Sequence, residues 1–195
     1  MNEQKSYANG NPLGFEPIGK LLLSFSVPAI IATLVNAIYN IVDQIFIGQG
    51  VGYLGNAATT VAFPIMTIVL AFATLIGSGG GAYAAMKLGE KDEEEAQLAL
   101  NNVFVLSVIS GVIIMIVGLI FLQPILTLFG ATEKNMGYAI DYASVIFLGV
   151  PFSMLSVSLA SMARTDGSPR LSMYGILVGA GLNTILDPIY IFIFD

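Results

Sequence analysis

The sequence predicts an all-α integral membrane protein, a bundle of about five transmembrane helices. Of its 195 residues 56% are hydrophobic and only 10% are charged, and the mean hydropathy is +0.84. A soluble domain spreads more charge than this over its surface. Apolar stretches of about 20 residues or more, enough to cross about 30 Å of hydrocarbon as helices, alternate with short polar segments along the chain.

A polar N-terminal segment, residues 1–17, comes before the bundle, which occupies residues 18–195. The first span begins at Lys20, and the second ends in a glycine cluster. The third is the clearest, because residues 103–123 carry no charge. The fifth is less regular because Asp187 lies inside it. The predicted spans are 20–47, 55–86, 97–122, 137–163 and 170–194.

The polar segments between the spans set the orientation. They read GQGVGYLG, KLGEKDEEEA, FGATEKN and ARTDGSPR, and each contains the glycine, proline or charge typical of turns. Lys134 falls on one side of the membrane, whereas the other cations share the opposite side: Lys5, Lys20, Lys87, Lys91, Arg164 and Arg170. By the positive-inside rule the N-terminus is cytoplasmic. We therefore expect a multi-pass protein of the plasma (inner) membrane with an uncleaved N-terminal anchor.

Composition excludes several kinds of chemistry. The chain contains no cysteine, histidine or tryptophan, which excludes disulfides, thiolate or imidazole metal sites and Ser/His or Cys/His nucleophiles. The formal net charge is −6 and no basic patch is present, so we expect no nucleic-acid partner. We predict neither a cofactor nor enzymatic activity.

The first span carries a polar face. Asn36, Asn40 and Asp43 follow one another at helical spacing, and Tyr39 lies four residues before Asp43. At about 100° per residue, these four side chains share one side of a helix.

The fifth span repeats this pattern. Asn183 and Asp187 are four residues apart, with Thr184 beside them, so that each of the two spans carries an amide and a carboxylate. Because both spans run in the same direction, their acids can face one another inside the bundle.

The two acids lie deep in the membrane by the length of chain before them. Asp43 is 23 residues past Lys20 and Asp187 is 17 past Arg170, or roughly 35 Å and roughly 26 Å along a helix. An ionised carboxylate there costs about 2.5 kcal/mol or more unless it is paired, cation-bound or protonated. Since no Lys or Arg lies at that depth, the counter-ion is H⁺ or Na⁺. The alternative is that each acid is hydrated at the outer interface.

Prolines and glycines add two further features. Pro28 in the first span and Pro188 after Asp187 each remove a helical hydrogen bond, so each is a candidate bend. The glycine cluster at residues 76–91 lacks the GK[ST] sequence of a phosphate-binding loop. We therefore predict that it is a surface for close helix packing. Tyr142 in the fourth span is a further polar side chain that can reach toward the acids.

Together these motifs resemble the first half of the multidrug and toxic compound extrusion (MATE) transporters. The resemblance rests on FEPIGKLLLSFSVPAI, the N…Y…D pattern followed by IGQG, GSGGGAYAAMKLGEKDEEEA, and ARTDGSPR before GLNTILDP, and it covers nearly all of residues 14–195. It implies a twelve-helix antiporter of two six-helix lobes that exports amphiphilic or cationic compounds in exchange for H⁺ or Na⁺.

The resemblance also implies residue roles. Asp43 and Tyr39 on the first helix match the family's cation site in the N-terminal lobe, as do Asn183 and Asp187 on the fifth. Pro28 matches the proline at which the first helix bends. The sequence ends before a sixth helix and a second lobe, so we expect a fragment of a longer reading frame whose pathway needs the missing lobe or a partner chain.

Two other functions compete with this one. A lipid flippase or a non-transporting membrane scaffold fits the same fold, because membrane lipids and drugs are both amphiphilic. An intramembrane aspartyl protease would need two facing acids, but the GxGD context of such enzymes is missing here.

Overall fold

The computed structural model describes residues 16–165 and 168–192, the side chains of residues 187, 188 and 190–192 excepted. Every regular element in these ranges is a helix, which confirms the all-α prediction. The helices are α1 (Ile18–Gly50), α2 (Tyr53–Gly89), α3 (Glu93–Ile120), α4 (Leu122–Leu128), α5 (Met136–Thr165) and α6 (Pro169–Phe192).

Four of the described helices, α1, α2, α3 and α5, are long and apolar enough to cross a membrane. They have 33, 37, 28 and 30 residues. Helix α6 has 24 residues and is not one of the four. The crossing of the membrane by the fifth predicted span therefore stays a prediction.

Helices α2, α3 and α5 form the centre of the bundle, and α4 lies against α5. The core between α2 and α5 consists largely of small and β-branched side chains, with Phe147 and Met154 as its bulkiest fully enclosed members. Small residues allow close approach of helix backbones, which is how membrane helices gain van der Waals contact without a hydrophobic driving force.

Glycines bring the central helices together. A Cβ atom on Gly77 of α2 would lie 2.8 Å from the Cα of Ser158 on α5, and one on Gly111 of α3 would lie 2.6 Å from the Cα of Pro151. The Ser158 hydroxyl is buried and donates to the carbonyl of Ala73 at 3.0 Å. The packing role predicted for the glycine cluster is therefore confirmed.

Helices α1 and α6 stand at one side of this centre and pack chiefly against each other. Helix α6 also contacts α5, whereas α1 has only a small contact with α2. The two helices that carry the predicted polar faces are thus direct neighbours.

The connections follow local chemistry. Gly52, between α1 and α2, has a φ of +84°, a conformation that glycine adopts without strain. Asp92 caps α3 by accepting a hydrogen bond from the Glu95 backbone N–H at 3.2 Å, and three glutamates form the first turn. The sequence reading did not predict α4, whose seven residues are too few to show helical periodicity.

Candidate functional site

Helix α1 passes through Pro28 as one continuous helix. Pro28 has no N–H to donate, so the carbonyl of Ser24 loses its helical partner, which makes this turn the weakest of α1. Pro28 and Ala32 are the buried residues of α1, and both face the space between α1 and α6.

Two side chains of the predicted polar face of α1 contact each other. The Asn40 side-chain amide donates to the Asn36 carbonyl at 2.7 Å and to the Asn36 Oδ1 at 3.1 Å. Tyr39 and Asp43 are half-buried, whereas the two asparagines are more exposed. Asn36 and Asn40 therefore form a local pair, and Asp43 lies one turn further along.

Gln44 joins this face to α2, a contact that the sequence did not indicate. The Thr59 hydroxyl, which is buried, lies 3.1 Å from the Gln44 Oε1 and 2.9 Å from the Asn56 carbonyl oxygen, so its one proton is shared between these two acceptors. Gln44 directly follows Asp43 in α1, and its side-chain NH₂ group can donate to the Asp43 carboxylate. Gln44 can therefore link the acid to α2.

On α6, Asn183 is half-buried, and its Oδ1 atom is shielded from solvent. The Thr184 hydroxyl donates to the Ala180 carbonyl at 2.9 Å, one turn back in the same helix. The side chains of Asp187 and Pro188 lie outside the described part of the structure, so their predicted roles remain predictions.

From the helical rise we infer that Asp43 and Asn183 lie at a similar level of the bundle. Asn36 of α1 and Ile176 of α6 line one cavity. Asp43 comes seven positions after Asn36, and Asn183 comes seven positions after Ile176. Both helices run in the same direction, so a rise of about 1.5 Å per residue carries each side chain roughly 10 Å beyond the cavity. Asp187 follows one helical turn after Asn183.

The cavity itself has a volume of about 350 Å³ and lies between the first halves of α1 and α6. Pro28 and Ala32 line it from α1, and Ser172 and Ile176 line it from α6. Arg164, at the end of α5, closes one side and donates from Nη1 to the Ser172 hydroxyl at 2.9 Å.

The environment of Tyr142 differs from that of Asp43. It is half-buried and packs against the core cluster shared by α2, α4 and α5. Its predicted reach toward Asp43 remains a prediction. Among the described residues, no group of three or more carboxylates is placed to hold a metal ion.

Long apolar helices that carry half-buried amide and carboxylate side chains define a polytopic membrane protein with a polar site on its helices. A protein-family model described as MatE matches residues 28–189. The multidrug export protein MepA of Staphylococcus aureus (strain MRSA252) is 35% identical over 179 residues, covering 92% of this chain and 40% of MepA. The chain therefore belongs to the MATE family.

Solved structures agree with this assignment. The MATE multidrug transporter DinF-BH is 40% identical, with a TM-score of 0.86 over 92% of this chain and 40% of its own. The crystal structure of MATE in the straight conformation is 29% identical, with a TM-score of 0.86 over 95% and 41%. The chain thus spans about 40% of the length of the proteins it matches. These relatives confirm the prediction of a transporter and not an enzyme.

Proposed function

We propose that this chain forms most of the N-terminal lobe of a cation-coupled exporter of amphiphilic or cationic compounds in the plasma membrane. Its N-terminus lies in the cytoplasm, and its five long helices each cross the bilayer. Membership of the MATE family and the names of its relatives support the exporter class. H⁺ or Na⁺ is the coupling ion, and a second lobe or a partner chain completes the drug pathway.

The observation that carries the proposal is a half-buried carboxylate inside the bundle with no cationic partner among the described residues. In the ranges 16–165 and 168–192, ion pairs join Lys20 to Glu16 and Lys87 to Glu90, and neither includes Asp43. A carboxylate at membrane depth needs a compensating charge or a proton, and a mobile cation supplies either one. Asn183, at the same level on α6, offers an amide oxygen as a further ligand for Na⁺.

The transport cycle follows from the two helices that meet at this site. In the outward-open state Asp43 and Asp187 are free of cation and take H⁺ or Na⁺ from outside. When Asp43 is neutralised, burying this face of α1 away from water no longer costs the desolvation of a charge. The turn at Pro28, which lacks one helical hydrogen bond, allows α1 to change shape. Drug release is coupled to cation entry because the two ligands favour different conformations.

Replacing Asp43→Asn in a transporter that contains this chain tests the proposal. The change keeps side-chain size and hydrogen bonding but removes the titratable charge, so we expect loss of drug efflux driven by an imposed H⁺ or Na⁺ gradient. Asp141→Asn is the matched control, since Asp141 is exposed at the start of α5. Dye efflux is measured from cells with equal amounts of each variant in the membrane. Gradient-driven efflux that persists in the Asp43→Asn variant would refute the proposal.

Imposing the two gradients separately identifies the ion. In proteoliposomes at constant pH, an inward Na⁺ gradient drives export only if Na⁺ is the coupling ion. A pH gradient in the absence of Na⁺ drives export only if H⁺ is the coupling ion. The same Asp43→Asn variant abolishes whichever activity is found.

A further inference from the structure

We propose that the cavity between α1 and α6 binds the phosphate headgroup region of an anionic phospholipid from the cytoplasmic leaflet, with Arg164 as its anchor. The proposed cation coupling does not require this cavity. Its last lining residue on α1, Asn36, comes seven positions before Asp43, and its last on α6, Ile176, comes eleven before Asp187, so the lipid headgroup site at Arg164 is distinct from the cation site.

Charge is the first argument. Arg164 is the charged residue among the side chains that line the cavity, in a protein whose formal net charge is −6. A guanidinium carries five N–H donors, and the bond to the Ser172 hydroxyl at 2.9 Å uses one of them. The remaining donors form a rigid planar fork of the kind that binds phosphate oxygens in pairs. A cationic drug is repelled by this group, whereas a phosphate is attracted.

The shape of the cavity is the second argument. Besides Arg164 and Ser172, the polar lining residues are Thr33 and Asn36, and the rest of the wall is apolar, with Phe25 and Pro28 on α1 and Met173 and Ile176 on α6. Its volume of about 350 Å³ falls in the range of small-molecule sites, about 300–1,000 Å³. A cation at one end and a wall that is mostly apolar match an amphiphile better than they match a free anion.

Position in the membrane is the third argument. Arg164 lies at the last turn of α5 and Pro169 begins α6, so the Arg164 end of the cavity is at the end of the bundle that the positive-inside rule assigns to the cytoplasm. This is the level at which phospholipid phosphates lie, and basic pockets between membrane helices on the cytoplasmic side bind anionic headgroups. Because Pro28 lines the same cavity, a bound lipid would touch α1 at its weakest turn.

Native mass spectrometry of the purified protein tests the site. The delipidated protein is titrated with phosphatidylglycerol, and with phosphatidylcholine as the zwitterionic reference. We expect one phosphatidylglycerol to bind preferentially. Arg164→Gln should weaken that binding about tenfold, the effect of losing a charge-assisted hydrogen bond. Arg170→Gln is the matched control, because Arg170 is exposed like Arg164 and lies near it at the start of α6, but does not line the cavity.

Two further variants separate binding from folding. Ser172→Ala removes the bond to Arg164 but keeps the guanidinium, so phosphatidylglycerol should still bind preferentially. Ala29→Trp fills the cavity from the exposed side of α1 without altering any charge, and it should lower binding even if Arg164→Gln fails to fold.

Three results would overturn the proposal. Equal losses in Arg164→Gln and Arg170→Gln would show a diffuse surface charge effect. Unchanged binding in both Arg164→Gln and Ala29→Trp would place the lipid elsewhere. Displacement of phosphatidylglycerol by an equal concentration of inorganic phosphate would show an anion site and not a lipid site.

Discussion

The contact between Gly77 of α2 and Ser158 of α5 can be tested by adding a single methyl group. In Gly77→Ala the new Cβ would lie 2.8 Å from the Ser158 Cα and 3.1 Å from its carbonyl oxygen. Both neighbours are backbone atoms and cannot rotate away. Since ordinary contact begins at 3.4 Å, the helices must separate locally by about 0.6 Å, the difference between 2.8 and 3.4 Å.

The energy follows from this displacement. Forcing one extra methyl into a packed core costs about 1–3 kcal/mol. Separation of the helices also stretches the buried hydrogen bond from the Ser158 hydroxyl to the Ala73 carbonyl, now 3.0 Å. Against this, alanine in a helix is favoured over glycine by up to about 1 kcal/mol. The measured change in Gly77→Ala is therefore the packing penalty less the propensity gain.

Gly79→Ala isolates the packing penalty. Gly79 is two positions away in α2, and a Cβ on it meets nothing within 4 Å. Both variants gain the same helix propensity, so the difference between them is the packing term alone. We expect Gly77→Ala to be less stable than Gly79→Ala by about 1–3 kcal/mol. Gly81→Ala should fall between them, because its Cβ would meet the Thr165 side chain, which can rotate.

The free energy of unfolding is measured by titration of the detergent-solubilised protein with sodium dodecyl sulfate, followed by circular dichroism. Tryptophan fluorescence is not an option because the chain has none. Equal stability of the Gly77 and Gly79 variants would refute the argument, because it would mean that α2 and α5 do not approach as closely as the structure shows.

Two smaller predictions concern hydrogen bonds at helix ends and between helices. Thr59→Val should lower stability by about 0.6 kcal/mol, the average for a hydrogen bond between membrane helices, whereas Thr59→Ser should keep it because the hydroxyl can still reach Gln44. The same titration measures this, and identical losses in both variants would contradict the contact. Asp92→Ala should cost about 1 kcal/mol and speed hydrogen exchange in the first turn of α3, whereas Asp92→Asn retains the cap. Unchanged exchange in the alanine variant would show that Asp92 is not the cap.

The fold was predictable because a bilayer leaves few choices. Every backbone polar group in hydrocarbon must be satisfied internally, so long apolar stretches between turn sequences indicate helices. The glycine cluster could be interpreted for the same reason, since small residues at helical spacing mark a packing surface. Helix α3 begins at Glu93, four residues before its predicted span, because capping at Asp92 extends it into the acidic segment.

The tertiary contacts were not predictable in this way. Gln44 looks like any polar residue beside Asp43, and Thr59 lies 15 positions later on another helix, so only their packing brings them together. In the sequence, Arg164 indicated only the orientation of the chain in the membrane. That it lines the same cavity as Pro28 depends on how α5 and α6 pack. The level shared by Asp43 and Asn183 follows from the pairing of α1 with α6, which a hydropathy pattern does not contain.

The way α1 is attached bears on how a cation at Asp43 could move it. Helix α1 has little contact with α2 apart from its C-terminal end, where Gln44 meets Thr59, and its long contact is with α6. A charge change at Asp43 therefore acts next to this attachment, on a helix whose weakest turn, at Pro28, lies fifteen residues away. With its C-terminal end held to α2, α1 can respond most easily by shifting its N-terminal half against α6. That movement would change the volume of the cavity beside Arg164, so the proposed lipid and the proposed coupling ion would influence each other's binding through α1.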